Sequence, residues 1–151
     1  MSLVYLGLGT NLGDKERNLN EAIRKISLEV GKVICRSGFY ASKPWGFESR
    51  NEFLNAVVSV ETNLLALELL ATTQEIEREL GRTAKSAKWY TDRVMDIDIL
   101  LYDNEIIDTP ELKIPHPFIT ERDFVYIPLL EIAPDLVHPT SGKKFRELVV
   151  T

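Results

Sequence analysis

Residues 93–102 read Arg93-Val94-Met95-Asp96-Ile97-Asp98-Ile99-Leu100-Leu101-Tyr102, and this stretch decides how the rest of the chain is arranged. Met95, Ile97, Ile99 and Leu101 recur with a period of two, which predicts a β-strand with one buried face. On such a strand Asp96 and Asp98 share the opposite face, roughly 6.5 to 7 Å apart along the chain. Like charges so placed repel unless water or a cation lies over them. Magnesium suits the pair best, because it takes one or two carboxylates and completes its shell with waters and substrate phosphates. A solvent-facing strand that keeps two charges for solubility shows the same D-x-D pattern, so the metal reading needs support from elsewhere in the chain.

The chain has 151 residues and is 44% apolar, which predicts one domain over residues 1–151 with a core of its own. A net charge of -5 argues against a general nucleic-acid binder. The cations are unevenly spread, however: Arg78, Arg82, Lys85, Lys88 and Arg93 crowd the approach to the acidic strand. Such a run is often a solvated face, but a metal-bound polyphosphate also requires it. Cys35 is the single cysteine, so no intrachain disulfide can form, and its apolar strand context predicts a buried, inert thiol in a reducing cytoplasm. The apolar run from Leu3 to Leu8 is broken by Gly7 and lacks a basic leader, so neither a signal peptide nor a membrane span is expected.

Val4 to Leu8 predicts a first strand, closed by the turn G-T-N-L-G-D, with Asp14 capping a helix. Leu19, Ala22, Ile23, Ile26 and Val30 hold helical spacing as far as Gly31, which is expected to stop the helix. Lys32 to Ala41 alternates as one strand, and the long aromatic loop S-K-P-W-G-F-E-S-R-N-E follows. Phe53 to Glu61 is a third strand, in which Phe53 and Asn55 share the less apolar face. An asparagine there either meets solvent or has a ligand. Thr62 or Asn63 is placed to cap a second helix ending at Gly81, with Leu69, Thr73, Ile76 and Leu80 toward the core and Leu70, Gln74 and Glu77 on a neighbouring stripe. The resulting order, β-α-β-β-α-β, predicts an α+β, ferredoxin-like core with an antiparallel sheet and helices packed on it. After the acidic strand, Pro115 and Pro117 pin His116 in an extended backbone. Thr120 with Asp123 resembles a capping box that would carry Arg122 into a helix, which Pro128 must interrupt or bend.

The segments G-T-N-L-G-D, F-Y-A-S-K-P-W-G, F-L-N-A-V, E-L-G-R, R-V-M-D-I-D-I-L, P-H-P-F-I-T-E-R-D-F-V and P-L-L-E-I-A-P-D-L-V-H-P together resemble the 6-hydroxymethyl-7,8-dihydropterin pyrophosphokinases of folate biosynthesis. The resemblance covers nearly the whole chain. It implies a three-layer α/β/α enzyme that moves the diphosphate of ATP onto the hydroxymethyl oxygen of the pterin and releases AMP. It further implies that Asp96 and Asp98 hold two magnesium ions, that Arg82, Arg93, His116 and Arg122 face the triphosphate, and that Gln74 and Glu77 line the nucleotide and metal region. Phe53 and Phe124 would stack on the pterin ring, Asn55 would read its amide-like edge, and backbone groups from Ser42 to Trp45, Pro44 among them, would add hydrogen bonds. The loop before the acidic strand departs from the family pattern: Lys85 and Lys88 stand where arginines are usual, and lysine lacks the bidentate fork. A monomer with no nucleic-acid or membrane partner is expected.

Two rivals use the same strand differently. A nucleotidyltransferase also carries a D-x-D metal strand but releases pyrophosphate, and it wants a Gly-Ser turn for which Gly81-Arg82 is a poor substitute. A ferredoxin-like ligand-binding module would need neither the carboxylate pair nor the cation-rich loop.

Overall fold

A computed structural model describes residues 1–43, 52–81 and 94–149. Alternation in Ser2–Thr10 makes β1, with Val4, Leu6 and Leu8 buried on one face. Asn18 braces the following turn by donating to the Leu12 carbonyl at 2.8 Å. Asp14 then caps α1, Lys15–Glu29, its carboxylate accepting the Arg17 amide hydrogen at 3.2 Å. Such a cap is worth about 1 kcal/mol. The chain continues through β2 (Gly31–Arg36), β3 (Tyr40–Ser42), β4 (Phe53–Thr62), α2 (Ala66–Glu79) and β5 (Asp96–Tyr102). A short hairpin of β6 (Ile107–Asp108) and β7 (Lys113–Ile114) leads to α3 (Asp123–Ile132) and α4 (Phe145–Leu148).

The main sheet runs β2-β4-β1-β5, with β3 also paired to β4, and every neighbour is antiparallel. This is the ferredoxin-like order expected. One face, carrying Val4, Leu6, Leu8, Val58, Val60, Ile97 and Ile99, packs against Leu19 and Ile26 of α1 and Leu69 and Ile76 of α2. The other face packs Val57, Leu100 and Leu101 against Val125 and Leu129 of α3 and Phe145 of α4. Among the described residues no helix is long and apolar enough to cross a membrane.

Several local expectations are corrected. The β1–β5 register slips between Tyr5 and Leu6, so that Leu6 faces Ile99 while Tyr5 faces Leu101. The extra residue, Leu100, forms a bulge that turns the pattern over. Leu101 therefore lies with Leu100 on the α3 side, and Tyr102 takes the α1–α2 side. Gly31 does not stop α1; Val30 is the C-cap, and Gly31 opens β2 so close to β4 that a Cβ would sit 2.0 Å from the Glu61 carbonyl oxygen. The strand expected over 32–41 breaks at 37–39. There the Ser37 hydroxyl accepts the Val57 N–H and the Ser37 N–H donates to the Val57 carbonyl, both at 2.9 Å. Cys35 is exposed rather than buried, because β2 is the edge strand.

At α2 the N-cap position is Leu65, whose N–H is satisfied by the Glu68 carboxylate at 2.8 Å. Thr62 instead donates to the Val30 carbonyl and accepts from the Leu64 N–H. Gly81, at φ +100, does end that helix. Thr120 and Asp123 form no capping box: α3 begins at Asp123 with Arg122 as its N-cap residue, and the helix runs through Pro128 to Ile132.

Candidate active site

Directly opposed residues of neighbouring strands send their side chains to the same face. Asp96 lies opposite Gly9, Gly9 opposite Asn55, and Asn55 opposite Tyr40. These four form one row across the α3 side of the sheet. Beside it run Asp98, Gly7 and Val57 in one row and Ser42 with Phe53 in another. Gly9 and Gly7 lie between the half-buried carboxylates of β5 and Asn55 and Val57 of β4, and neighbouring side chains close over both: a Cβ on Gly7 would stand 3.4 Å from Leu100 Cδ2. A Cβ on Gly9 would stand 3.1 Å from Asn55 Oδ1 and 3.5 Å from Phe53 Cδ1.

Asn55 is buried, and its two amide hydrogens go to the Tyr40 carbonyl at 2.9 Å and to Ser42 Oγ at 2.8 Å. Its Oδ1 is thereby turned toward Gly9, so it meets a neighbour in the site as an acceptor rather than as the donor and acceptor the sequence offered. Next to it a cleft of about 380 Å³ opens between β3 and α3, lined by Tyr40, Ala41, Ser42 and Lys43 on one wall and Asp123, Phe124 and Ile127 on the other. Ser42 and Phe124 were expected at a substrate site. Lys43 falls within the Ser42 to Trp45 stretch expected to supply backbone contacts; Tyr40, Ala41, Asp123 and Ile127 were missed, although Tyr40 and Ala41 belong to the F-Y-A-S-K-P-W-G segment that flagged the loop.

His116 approaches from the segment after β7. Its backbone N–H donates to the Leu100 carbonyl at 3.0 Å, which places the ring beside β5. Nδ1 accepts the Phe118 N–H at 3.2 Å, so the proton of the neutral ring sits on Nε2, which lies 3.9 Å from Asp98 Oδ2. Burial, followed by the nearby Arg122 charge, pushes the His116 pKa down to about 4, against the opposing pull of Asp96. The ring is thus neutral at pH 7, and its approach to Asp98 is a polar contact rather than an ion pair. Arg122 lies with its guanidinium carbon 4.7 Å from the Phe118 ring centre and 5.9 Å from that of Phe124. Cation–π contacts of this kind hold a guanidinium in place without consuming its hydrogen-bonding fork.

Glu77 reaches the acidic strand from the far layer, its Oε2 accepting the N–H of Ile97 at 2.7 Å, between the two aspartates. Gln74, one turn earlier, is exposed on α2. The structure thus brings together Asp96, Asp98, His116 and Arg122 on one side and Ser42, Phe53, Asn55 and Phe124 on the other. Arg82, Arg93, Pro44 and Trp45 lie outside the described residues.

Known proteins resemble this chain in sequence and in fold. The family model of 7,8-dihydro-6-hydroxymethylpterin-pyrophosphokinase (HPPK) matches residues 5–134. The 2-amino-4-hydroxy-6-hydroxymethyldihydropteridine pyrophosphokinase of Porphyromonas gingivalis is 49% identical over 143 residues, 93% of this chain and 97% of that protein. The enzyme of the same name from Aquifex aeolicus is 47% identical over 149 residues, 97% of this chain and 90% of that one. A crystal structure of Plasmodium falciparum HPPK-DHPS superposes with a TM-score of 0.76 at 18% identity, covering 97% of this chain and 43% of that longer one, a likeness of fold. With a family model matched over residues 5–134 and sequence identity near one half over nearly the whole of two relatives, the chain belongs to the HPPK family and pyrophosphorylates hydroxymethyldihydropterin in folate biosynthesis.

Proposed function

We propose that ATP donates the diphosphate and leaves as AMP, that Asp96 and Asp98 hold two magnesium ions, and that the pterin occupies the cleft between β3 and α3. The observation that carries this reading is the placement of both carboxylates on one sheet face, in line through Gly9 with Asn55 and next to the Nε2 of His116. The donor set suits magnesium. Two half-buried carboxylates are too few for a closed protein cage but enough for an ion that shares its shell with water and phosphate. Among the described residues no group of three or more His, Cys, Asp or Glu side chains forms a metal cluster, in keeping with a shell completed by substrate. Bound there, magnesium would neutralise phosphate oxygens and polarise the phosphorus under attack.

The chain's own residues then position and stabilise. His116 offers its Nε2 proton, and Arg122 a full charge, to phosphate oxygens. Arg82 and Arg93 would complete the cation set. Phe53 and Phe124 clasp the planar ring, Asn55 Oδ1 accepts from an N–H of its edge, and Ser42, Pro44 and Trp45 add polar contacts. Glu77 holds the strand that bears the carboxylates, and Gln74 extends the same stripe toward the nucleotide. Holding the hydroxymethyl oxygen in line with the β-phosphorus is the main contribution to rate. The chain is proposed to act as a cytoplasmic, single-domain monomer; its net charge of -5 supports the absence of a nucleic-acid partner.

The test is a product assay with ATP labelled at the β-phosphate, magnesium and 6-hydroxymethyl-7,8-dihydropterin. AMP should appear in step with labelled pterin diphosphate, and chelation of magnesium should stop both. Release of ADP or of pyrophosphate, or full turnover in chelator, refutes the reading.

A further inference from the structure

Two segments singled out in the sequence have no role in the mechanism above: F-Y-A of F-Y-A-S-K-P-W-G, and P-L-L-E-I-A-P-D. The structure joins them. Glu131, in the last turn of α3, accepts the N–H of Gly38 through both carboxylate oxygens at 3.2 Å, and its Oε1 accepts the hydroxyl hydrogen of Tyr40. The backbone leaves its pairing with β4 at 38 and rejoins it as β3 at Tyr40, so Glu131 grips the chain at that break. Tyr40 forms part of the β3 wall of the cleft, while Phe124 and Ile127 of α3 form the other wall.

From this geometry we infer that Glu131 is a positioning residue for the pterin: a strut from α3 that fixes the width of the cleft and, through β3, the aim of the Asn55 amide. The inference rests on the reading that this cleft holds the pterin. A planar ring needs its aromatic partner at a set separation, and the Asn55 donors are committed to Tyr40 O and Ser42 Oγ on the very strand that Glu131 anchors. The Tyr40 hydroxyl pKa is raised, chiefly by its hydrogen bond to Glu131, so the phenol stays protonated and remains a donor at neutral pH. The strut ends on β3, and β4 and β1 stand between β3 and the carboxylate strand, so the effect belongs to pterin binding and not to nucleotide binding.

Equilibrium binding of 6-hydroxymethylpterin and of a non-hydrolysable ATP analogue should be measured for Glu131→Ala, Glu131→Gln, Tyr40→Phe and Phe124→Ala, with thermal unfolding of each. Glu131→Ala should weaken pterin binding about tenfold, the scale of losing hydrogen bonds to a charged group, with ATP-analogue affinity within twofold of wild type. Tyr40→Phe, which removes only a hydroxyl, should weaken pterin binding about threefold. Glu131→Gln keeps a carbonyl acceptor and should lie between wild type and alanine. Should Phe124→Ala bind pterin like wild type, the cleft is not the pterin site and both readings fall together. Should Phe124→Ala lose pterin affinity while Glu131→Ala and Tyr40→Phe do not, the cleft stands and the strut alone is overturned. Equal loss for both ligands in folded Glu131→Ala also overturns it, since that marks a general structural tie.

Discussion

The two faces of the central sheet use the same strands for opposite purposes. Toward α1 and α2, β1, β4 and β5 present Val4, Leu6, Val58 and Val60 at 0% exposure and Ile97 and Ile99 at no more than 7%. Toward α3, the alternate positions of those strands run from Asp96, Gly9 and Asn55 at one end, through the row of Asp98, Gly7 and Val57, to Leu100 and Leu101 beyond. The dry face carries the larger share of the apolar core, each fully buried Val, Leu or Ile contributing about 1.5 to 3 kcal/mol. The mixed face can then tolerate two like charges and two strand glycines, features that on their own cost stability. The cleft on this face lies beside the first turns of α3, where Asp123, Phe124 and Ile127 stand opposite β3.

Substitutions that act on one face only should separate activity from stability, and the carboxylates should show this most strongly. Asp96→Asn and Asp98→Asn are each expected to lower turnover about a thousandfold or more, since metal stabilisation of a transferring phosphoryl group is worth several kcal/mol and each 1.36 kcal/mol is about tenfold. Removing one of two same-face charges should leave the unfolding temperature of the ligand-free protein unchanged or slightly higher. Single-turnover assays and thermal unfolding on the same samples decide the matter; activity lost only in step with folded fraction would erase the distinction between the faces.

The converse probe is Leu6→Ala on the dry face. Leu6 is at 0% exposure between the helices and β1's partners, so truncation should cost about 3 to 5 kcal/mol of unfolding free energy. Denaturant titration measures that loss. Turnover per folded molecule should stay within a few-fold of wild type, and a loss comparable to that of the aspartate variants would mean that the site depends on packing through the sheet.

Much of this division was legible in the sequence because it is periodic. The two-residue repeat of β5 placed Asp96 and Asp98 together, the helical repeat of Leu19, Ala22, Ile23 and Ile26 predicted the buried stripe of α1, and Asp14 announced its cap. What escaped had no local signal. The bulge at Leu100 depends on how β1 and β5 settle against each other, not on composition. The break at 37–39 arises because the Ser37 side chain replaces a backbone partner for Val57. Cys35 looked apolar in pattern but falls on an edge strand, and strand order is a tertiary fact. The Glu131–Tyr40 contact spans 91 positions, and neither residue is unusual in its own segment. Arg122 was expected inside a helix, yet it stands at the N-cap, where its guanidinium can lie between Phe118 and Phe124.

The smallest expected effect is also the finest test of the row through Gly9. In Gly9→Ala the new methyl group would project onto the mixed face, 3.1 Å from Asn55 Oδ1 and 3.5 Å from the Phe53 ring. The first distance is tight, and Asn55 has little freedom to retreat, because both of its amide hydrogens are held by Tyr40 and Ser42. The amide must shift by a few tenths of an ångström, or β3 must move with it. Because alanine narrows the unfolded ensemble by about 0.4 to 1 kcal/mol relative to glycine, that gain should roughly offset the crowding and leave overall stability near wild type. Pterin affinity should instead fall about three- to tenfold through the displaced Oδ1, a scale set by the roughly 1 kcal/mol net value of one hydrogen bond. Affinity for an ATP analogue should not change, since the atoms nearest the new methyl belong to Asn55 and Phe53, the pterin side of the site. Isothermal titration with each ligand separates the two. If both affinities fall together, Gly9 is needed for strand geometry as a whole; if neither does, the space between Asp96 and Asn55 is wider than a pterin site requires.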